Sequence, residues 1–190
     1  MGFLDALLGR TKPAAPNLDN LFSLPGAALT LEAGTDFRPT GTGSVCFRAA
    51  EGRAFSDIEK DVRQLLAMGD DKKPVEASRD SFGFTWLVCR HDPSDPEGLV
   101  TDLHAVNSSL ELGGFGPQLL CTILAFRDSE NRSLGLVYLY KRGTFYPFAP
   151  QGGERRDNAL ELQIRGALGA DLKIEPDLGR WFPLWGAPGL

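Results

Sequence analysis

The chain is poor in the residues that usually carry chemistry, with three cysteines and two histidines among 190 residues. Cys46, Cys89 and Cys121 are odd in number and widely spaced, which does not describe a disulfide framework and suits a reducing compartment. Structural zinc sites show two tight ligand pairs, and Cys89-Arg90-His91 supplies just one, so no metal is expected. No apolar run approaches the ~20 residues of a membrane span. The start lacks a signal peptide's basic region, carrying Asp5 there, and Ala6 occupies the position that a myristoylation motif gives to Ser or Thr. A phosphate-binding loop is missing too. Gly41-Thr42-Gly43 has no third glycine and leads into a predicted strand, and Gly113-Gly114-Phe115-Gly116-Pro117 follows a helix instead of opening one, so no cofactor is expected. Nor is there a strong charge excess. Twenty Lys and Arg against 25 Asp and Glu leave a formal −5, which argues against general nucleic-acid binding. These absences point to the cytoplasm as the default location.

What is present is a folding composition. The hydrophobic fraction is 42%, and a 20.6 kDa chain can bury roughly 70% of its unfolded surface without a covalent staple. The expected organisation is an N-terminal amphipathic arm (1–25), one domain (26–180) and an aromatic tail (181–190). In the arm, Phe3, Leu4, Leu7 and Leu8 repeat at helical spacing, as do Leu18, Leu21 and Phe22, the second set ending before Pro25. Each piece is too short to be a stable helix alone, so it must dock on the core, a partner or a membrane surface. Residues 28–33 and 44–49 read as extended, separated by a turn-rich 39–43.

A helix is expected from Ser56 to Gly69, with Ile58, Val62, Leu65 and Leu66 on one face. A hairpin over 75–79 and 82–90 follows, with Trp86 and Val88 on one side and Thr85, Leu87 and Cys89 on the other. Asp95 can cap a helix with Pro96 in its first turn and Leu99, Leu103, Val106 and Leu110 as its buried stripe. A second hairpin, 119–127 with 133–140, precedes a last helix from about Glu154 to Leu168. Short hairpin links favour an antiparallel sheet with helices on it, so the predicted class is α+β: a sheet built largely of hairpins with about three helices packed on it, plus short N-terminal amphipathic helices.

Between Arg132 and Arg156 lie five basic residues, one acid and five aromatics, a local +4 in an acidic chain. Arg155 and Arg156 are expected in the first turn of the last helix, where the macrodipole disfavours cations. Broken local rules mark candidate sites. The candidate partner-binding surface is Tyr140, Lys141, Arg142, Phe145, Tyr146, Phe148, Arg155 and Arg156, joined by Trp181 and Trp185 of the tail, because aromatic anchors with Arg hydrogen bonds characterise binding hot spots. The bland alternative is an aromatic core strand with surface ion pairs to Glu154, Asp157 and Glu161. A competing functional class is a small hydrolase-like enzyme using Cys89 with His91 or His104. A third is a peripheral membrane sensor working through residues 1–24.

Several long blocks resemble one known family: Met1 to Arg10, Thr101-Asp102-Leu103-His104-Ala105-Val106-Asn107-Ser108, Tyr138 to Pro150, Glu154-Arg155-Arg156-Asp157-Asn158-Ala159-Leu160-Glu161, and Trp181 to Leu190. Over essentially the full length the chain resembles the actinobacterial PspA-associated protein PspAB family. The resemblance implies a phage-shock-type envelope stress context, with a protein of the PspA system or an HtpX-type membrane protease as partner, and it brings no catalytic residues. The order of helices and hairpins also resembles the YbjN and type III secretion chaperone architecture, which is adaptor-like. The function expected on this basis is a non-enzymatic adaptor acting by protein–protein contact.

Overall fold

The computed structural model describes residues 16–48, 60, 62, 64 and 75–190. Phe3, Leu4, Leu7 and Leu8 of the predicted arm lie outside these residues. So does most of the helix predicted over 56–69, of which Lys60, Val62 and Gln64 are helical and Val62 is buried.

The fold is α+β. A 3₁₀ segment, Leu18–Ser23, runs into helix α1, Leu24–Gly34. Strands β1 (Arg38–Arg48), β2 (Glu76–Arg79) and β3 (Phe84–Arg90) precede helix α2 (Pro96–Leu110), and β4 (Leu119–Arg127), β5 (Ser133–Leu139) and β6 (Thr144–Phe148) follow it. Two-residue strands β7 (Pro150–Gln151) and β8 (Arg155–Arg156) lead to helix α3, Asn158–Leu168. The six long strands form one sheet in the order β2-β3-β1-β4-β5-β6, with every pair antiparallel.

The pleat sends alternate residues to two different cores. One face carries Val45, Phe47, Leu87, Leu124, Phe126, Leu136 and Tyr138, and packs under α1, α2 and α3. The opposite face carries Cys46, Trp86, Val88, Cys121, Ile123, Val137, Tyr146 and Phe148, and is covered by the C-terminal segment through Trp181, Leu184, Trp185, Ala187 and Leu190. Trp86 and Val88 therefore oppose Leu87 and Cys89, as the alternation predicts. The α2 stripe Leu99, Leu103, Val106 and Leu110 is fully buried, and Asp95 caps that helix by accepting from the Gly98 N–H at 2.9 Å.

Four local expectations are corrected. Residues 28–33 are helical, not extended: the Ala-Leu-Thr-Leu-Glu-Ala alternation imitates a strand, but Leu24, Ala27, Ala28 and Leu31 bury one helical stripe. Pro25 occupies the first turn of that helix, where a missing N–H costs nothing, and so does not end the preceding segment. The turn-rich 39–43 run belongs to β1 as an irregularity in its pairing with β4. Gly41 is required there, because its φ is +72° and a Cβ would lie 2.3 Å from the His91 carbonyl oxygen. Finally, Arg155 and Arg156 are not in a helical first turn. They are extended in β8, and Asp157 starts α3 by accepting from the Leu160 N–H at 3.0 Å, so no unfavourable contact with the macrodipole exists.

Candidate functional site

A concavity lies where the C-terminal segment crosses the tail-covered face of the sheet. It is a cavity of about 570 Å³. Cys46 on β1, Cys121 on β4, Leu139 on β5 and Tyr146 on β6 are buried and form its floor. Phe84, Leu120, Phe182, Pro183 and Leu184 make the walls. Exposed Arg48, Lys141, Arg142 and Arg180 also line it and form a cationic rim. An apolar interior with a few convergent charged groups is the usual make-up of a small-ligand or anchor-residue site.

The wall is fixed by hydrogen bonds. The Tyr146 hydroxyl donates to the Phe182 carbonyl at 2.8 Å, and the Trp181 indole donates to the Glu175 carbonyl at 3.0 Å. Trp181 stacks on Tyr146 with ring centroids 5.9 Å apart, and Trp185 meets Phe148 edge-on at 5.2 Å. The segment leading into this wall is held along the edge of β6. The Phe145 N–H donates to the Lys173 carbonyl at 2.9 Å and the Glu175 N–H to the Phe145 carbonyl at 2.7 Å.

Glu175 ties the rim to this framework. Its side chain is fully buried and accepts from Arg142 Nε at 3.0 Å, from another guanidinium nitrogen of Arg142 at 3.2 Å and from the Thr144 hydroxyl at 2.7 Å. Burial raises the Glu175 carboxyl, but the bonds from Arg142, Thr144 and the Asp177 N–H outweigh it, so the net shift is below the usual range. A depressed folded-state pKa stabilises the fold above the unfolded value, about 4.3 for Glu, and that contribution is lost as pH falls through the lower folded value. Denaturant unfolding compared at pH 7 and pH 3.5 should show this loss, and Glu175→Gln should flatten the dependence.

At the floor, Cys46 and Cys121 are direct cross-strand neighbours. The hydrogen bond with Cys121, followed by burial, pushes the Cys46 thiol far above its ordinary pKa.

The structure divides the predicted surface residues into three groups. Tyr140, Phe145, Tyr146, Phe148 and Trp181 are buried, because strand pairing and the tail enclose them. Tyr140 and Phe145 belong to the helix-covered core, whereas Tyr146, Phe148 and Trp181 belong to the other. Arg156 and Trp185 are half-buried. Arg156 bonds to Glu161 at 3.0 Å and to the Trp181 carbonyl, and lies over the Phe148 ring at 5.2 Å, so it fastens the tail to α3. Lys141, Arg142 and Arg155 are exposed, and the first two line the cavity with Tyr146. Phe182 of the tail, which the sequence offered beside Trp181 and Trp185 as able to join this surface, lines the cavity wall. Sequence reasoning passed over Arg48, Phe84, Leu120 and Arg180. The available signal was Arg180, a basic residue directly before the aromatic pair Trp181-Phe182 at the entrance to the tail.

The alternative Cys–His arrangement has different geometry. Cys89 is buried in the helix-covered core. His91 directs both ring nitrogens at carboxylates, Nδ1 to Asp95 at 3.0 Å and Nε2 to Asp102 at 2.8 Å, and thereby joins the end of β3 to α2. His104 stacks on Phe22 at 4.8 Å, with Asp19 at 3.5 Å from Nε2. His91→Ala should cost about 1–3 kcal/mol in urea unfolding by removing a charge-assisted link between strand and helix. No group of three or more His, Cys, Asp or Glu side chains placed so that it could hold a metal ion occurs among the described residues. No helix among them is long and apolar enough to cross a membrane.

No curated protein and no solved structure matches the chain. The family model described as PspA associated protein B matches residues 1–189, and the chain therefore belongs to the PspAB family.

Proposed function

We propose that this protein is a non-enzymatic cytoplasmic adaptor or regulator in the PspA system, contributing to the envelope stress response through protein–protein contact. The single observation that supports this reading is the clustering of exposed Lys141, Arg142, Arg180 and Arg48 with Phe182, an apolar side chain 55% exposed, around one opening. Cations beside an accessible aromatic suit an acidic partner surface carrying an apolar anchor, since rim charges steer association and an aromatic anchor supplies affinity. The family name supplies the partner class, PspA or a protein acting with it.

The test is affinity capture of PspA from the same genome with wild-type protein and with the Lys141→Glu/Arg180→Glu double variant. Both substituted residues are exposed, so the fold should persist. The wild type should capture PspA, and the variant should lose at least tenfold of it, with the loss concentrated in the association rate and dependent on salt. Equal capture by both proteins would reject this surface. An HtpX-type protease probed in the same way tests the second partner candidate.

A further inference from the structure

The cavity behind the rim has a depth and lining that a flat protein-docking surface does not need. Its floor of Cys46, Cys121, Leu139 and Tyr146 is buried and apolar in lining, and at about 570 Å³ it falls within the roughly 300–1,000 Å³ of small-ligand sites. Charge is confined to the exposed side chains. Two of the four rim cations are already paired, Arg142 with Glu175 and Arg180 with Asp177. Arg48 and Lys141 make no ion pair with another described residue. A buried apolar floor beside exposed cations is complementary to a molecule with one apolar chain and one anionic end.

We infer that the cavity binds a single-chain anionic amphiphile of the fatty-acid class, its chain on Cys46, Cys121, Leu139 and Leu120 and its carboxylate among Arg48, Lys141 and Arg142. A neutral interior at Cys46 favours an alkyl chain over a polar group, and the Tyr146 hydroxyl, already donating to Phe182, does not compete for the ligand. The cationic end selects the carboxylate over an uncharged head, since salt-bridging guanidinium and ammonium groups give stronger hydrogen bonds than neutral donors. The alkyl chain would occupy the interior, whereas the carboxylate would share Arg48, Lys141 and Arg142 with the proposed partner surface.

Calorimetric titration of the full chain with octanoate, decanoate and dodecanoate, below their micellar concentrations, tests it. Binding should be saturable at one site, and each two-carbon extension should tighten it roughly tenfold while the chain still finds apolar wall. Decanol should bind at least tenfold more weakly than decanoate. The exposed-residue variant Arg48→Glu/Lys141→Glu should lose that preference. Filling the cavity with Leu120→Trp or Leu139→Phe should abolish binding in whichever variant keeps the wild-type circular dichroism spectrum.

Location is read from the thiols. Bound dodecanoate should slow alkylation of Cys46 and Cys121 in mild denaturant severalfold more than that of Cys89, which lies on the other side of the sheet. Absence of saturable binding would overturn the inference, as would equal affinity for decanol or equal protection of all three cysteines. Binding to anionic vesicles without affinity for monomeric dodecanoate would also overturn it, assigning the charge to a bilayer surface. The titrations contain no PspA and the capture contains no fatty acid, so with the wild-type protein either reading can fail while the other stands.

Discussion

Trp181→Ala is expected to destabilise the protein by about 3–4 kcal/mol, at the level of a large buried aromatic truncated in a core. The indole is buried, stacks on Tyr146 and donates to the Glu175 carbonyl, and its own carbonyl accepts from Arg156. Its removal leaves a void where the C-terminal segment, after pairing with the edge of β6, turns onto the tail-covered face. The rest of the tail-covered core is reached through that contact, since Leu184, Trp185, Ala187 and Leu190 follow it along the same face. Urea unfolding followed by far-ultraviolet circular dichroism measures the cost. A loss below about 1 kcal/mol would mean that the tail does not form this second core in solution. Trp181→Phe, which keeps the ring but not the N–H, should recover more than half of the loss.

Arg142→Ala should lower the urea midpoint clearly, although Arg142 is an exposed residue whose replacement would ordinarily be near neutral. The cost falls on Glu175, whose fully buried carboxylate loses its cation while keeping the bonds from Thr144 and the Asp177 N–H. Removing one partner of a buried pair is destabilising because it strands the other charge. The effect is smaller here than for a fully buried pair, because 44% of the Arg142 side chain is exposed and solvent screens the pair. Arg142→Lys should recover part of the stability but not all, since an ammonium cannot reproduce the two-point contact. The double variant Arg142→Ala/Glu175→Gln should be more stable than Arg142→Ala alone, because it removes the stranded charge. If Arg142→Ala unfolds at the wild-type denaturant midpoint, Glu175 is not held in this way.

Much of the fold was legible because local signals and packing agreed. The Asp95 cap, the α2 stripe, both hairpins and the alternation of Trp86 and Val88 against Leu87 and Cys89 were each readable from a few residues. Helix α1 misled because Ala, Leu and Thr alternate over a stretch whose true period is set by burial of Leu24, Ala27, Ala28 and Leu31. Arg155 and Arg156 misled for a related reason: the α3 boundary is decided by the Asp157 cap, three residues beyond Glu154.

The cavity was legible only in part. Tyr138 to Phe148 stood out as aromatic and basic, but the pleat divides that run between two cores, and of it Leu139, Lys141, Arg142 and Tyr146 line the cavity. Arg48 and Arg180 arrive from positions 132 residues apart in sequence. Nothing local announces their meeting, because the strand order and the path of the tail bring them together.

Site-specific photo-cross-linking tests whether the cation-rimmed opening faces a protein of the PspA system, as proposed above. A photoreactive phenylalanine analogue is placed at Phe182 on the cavity wall and, in a second protein, at Leu29, which is 68% exposed on α1. Both proteins are irradiated with purified PspA from the same genome. A cross-linked product from position 182, absent or at least tenfold weaker from position 29, is the predicted result. A product from position 29 with none from position 182, or no product from either, would contradict the account.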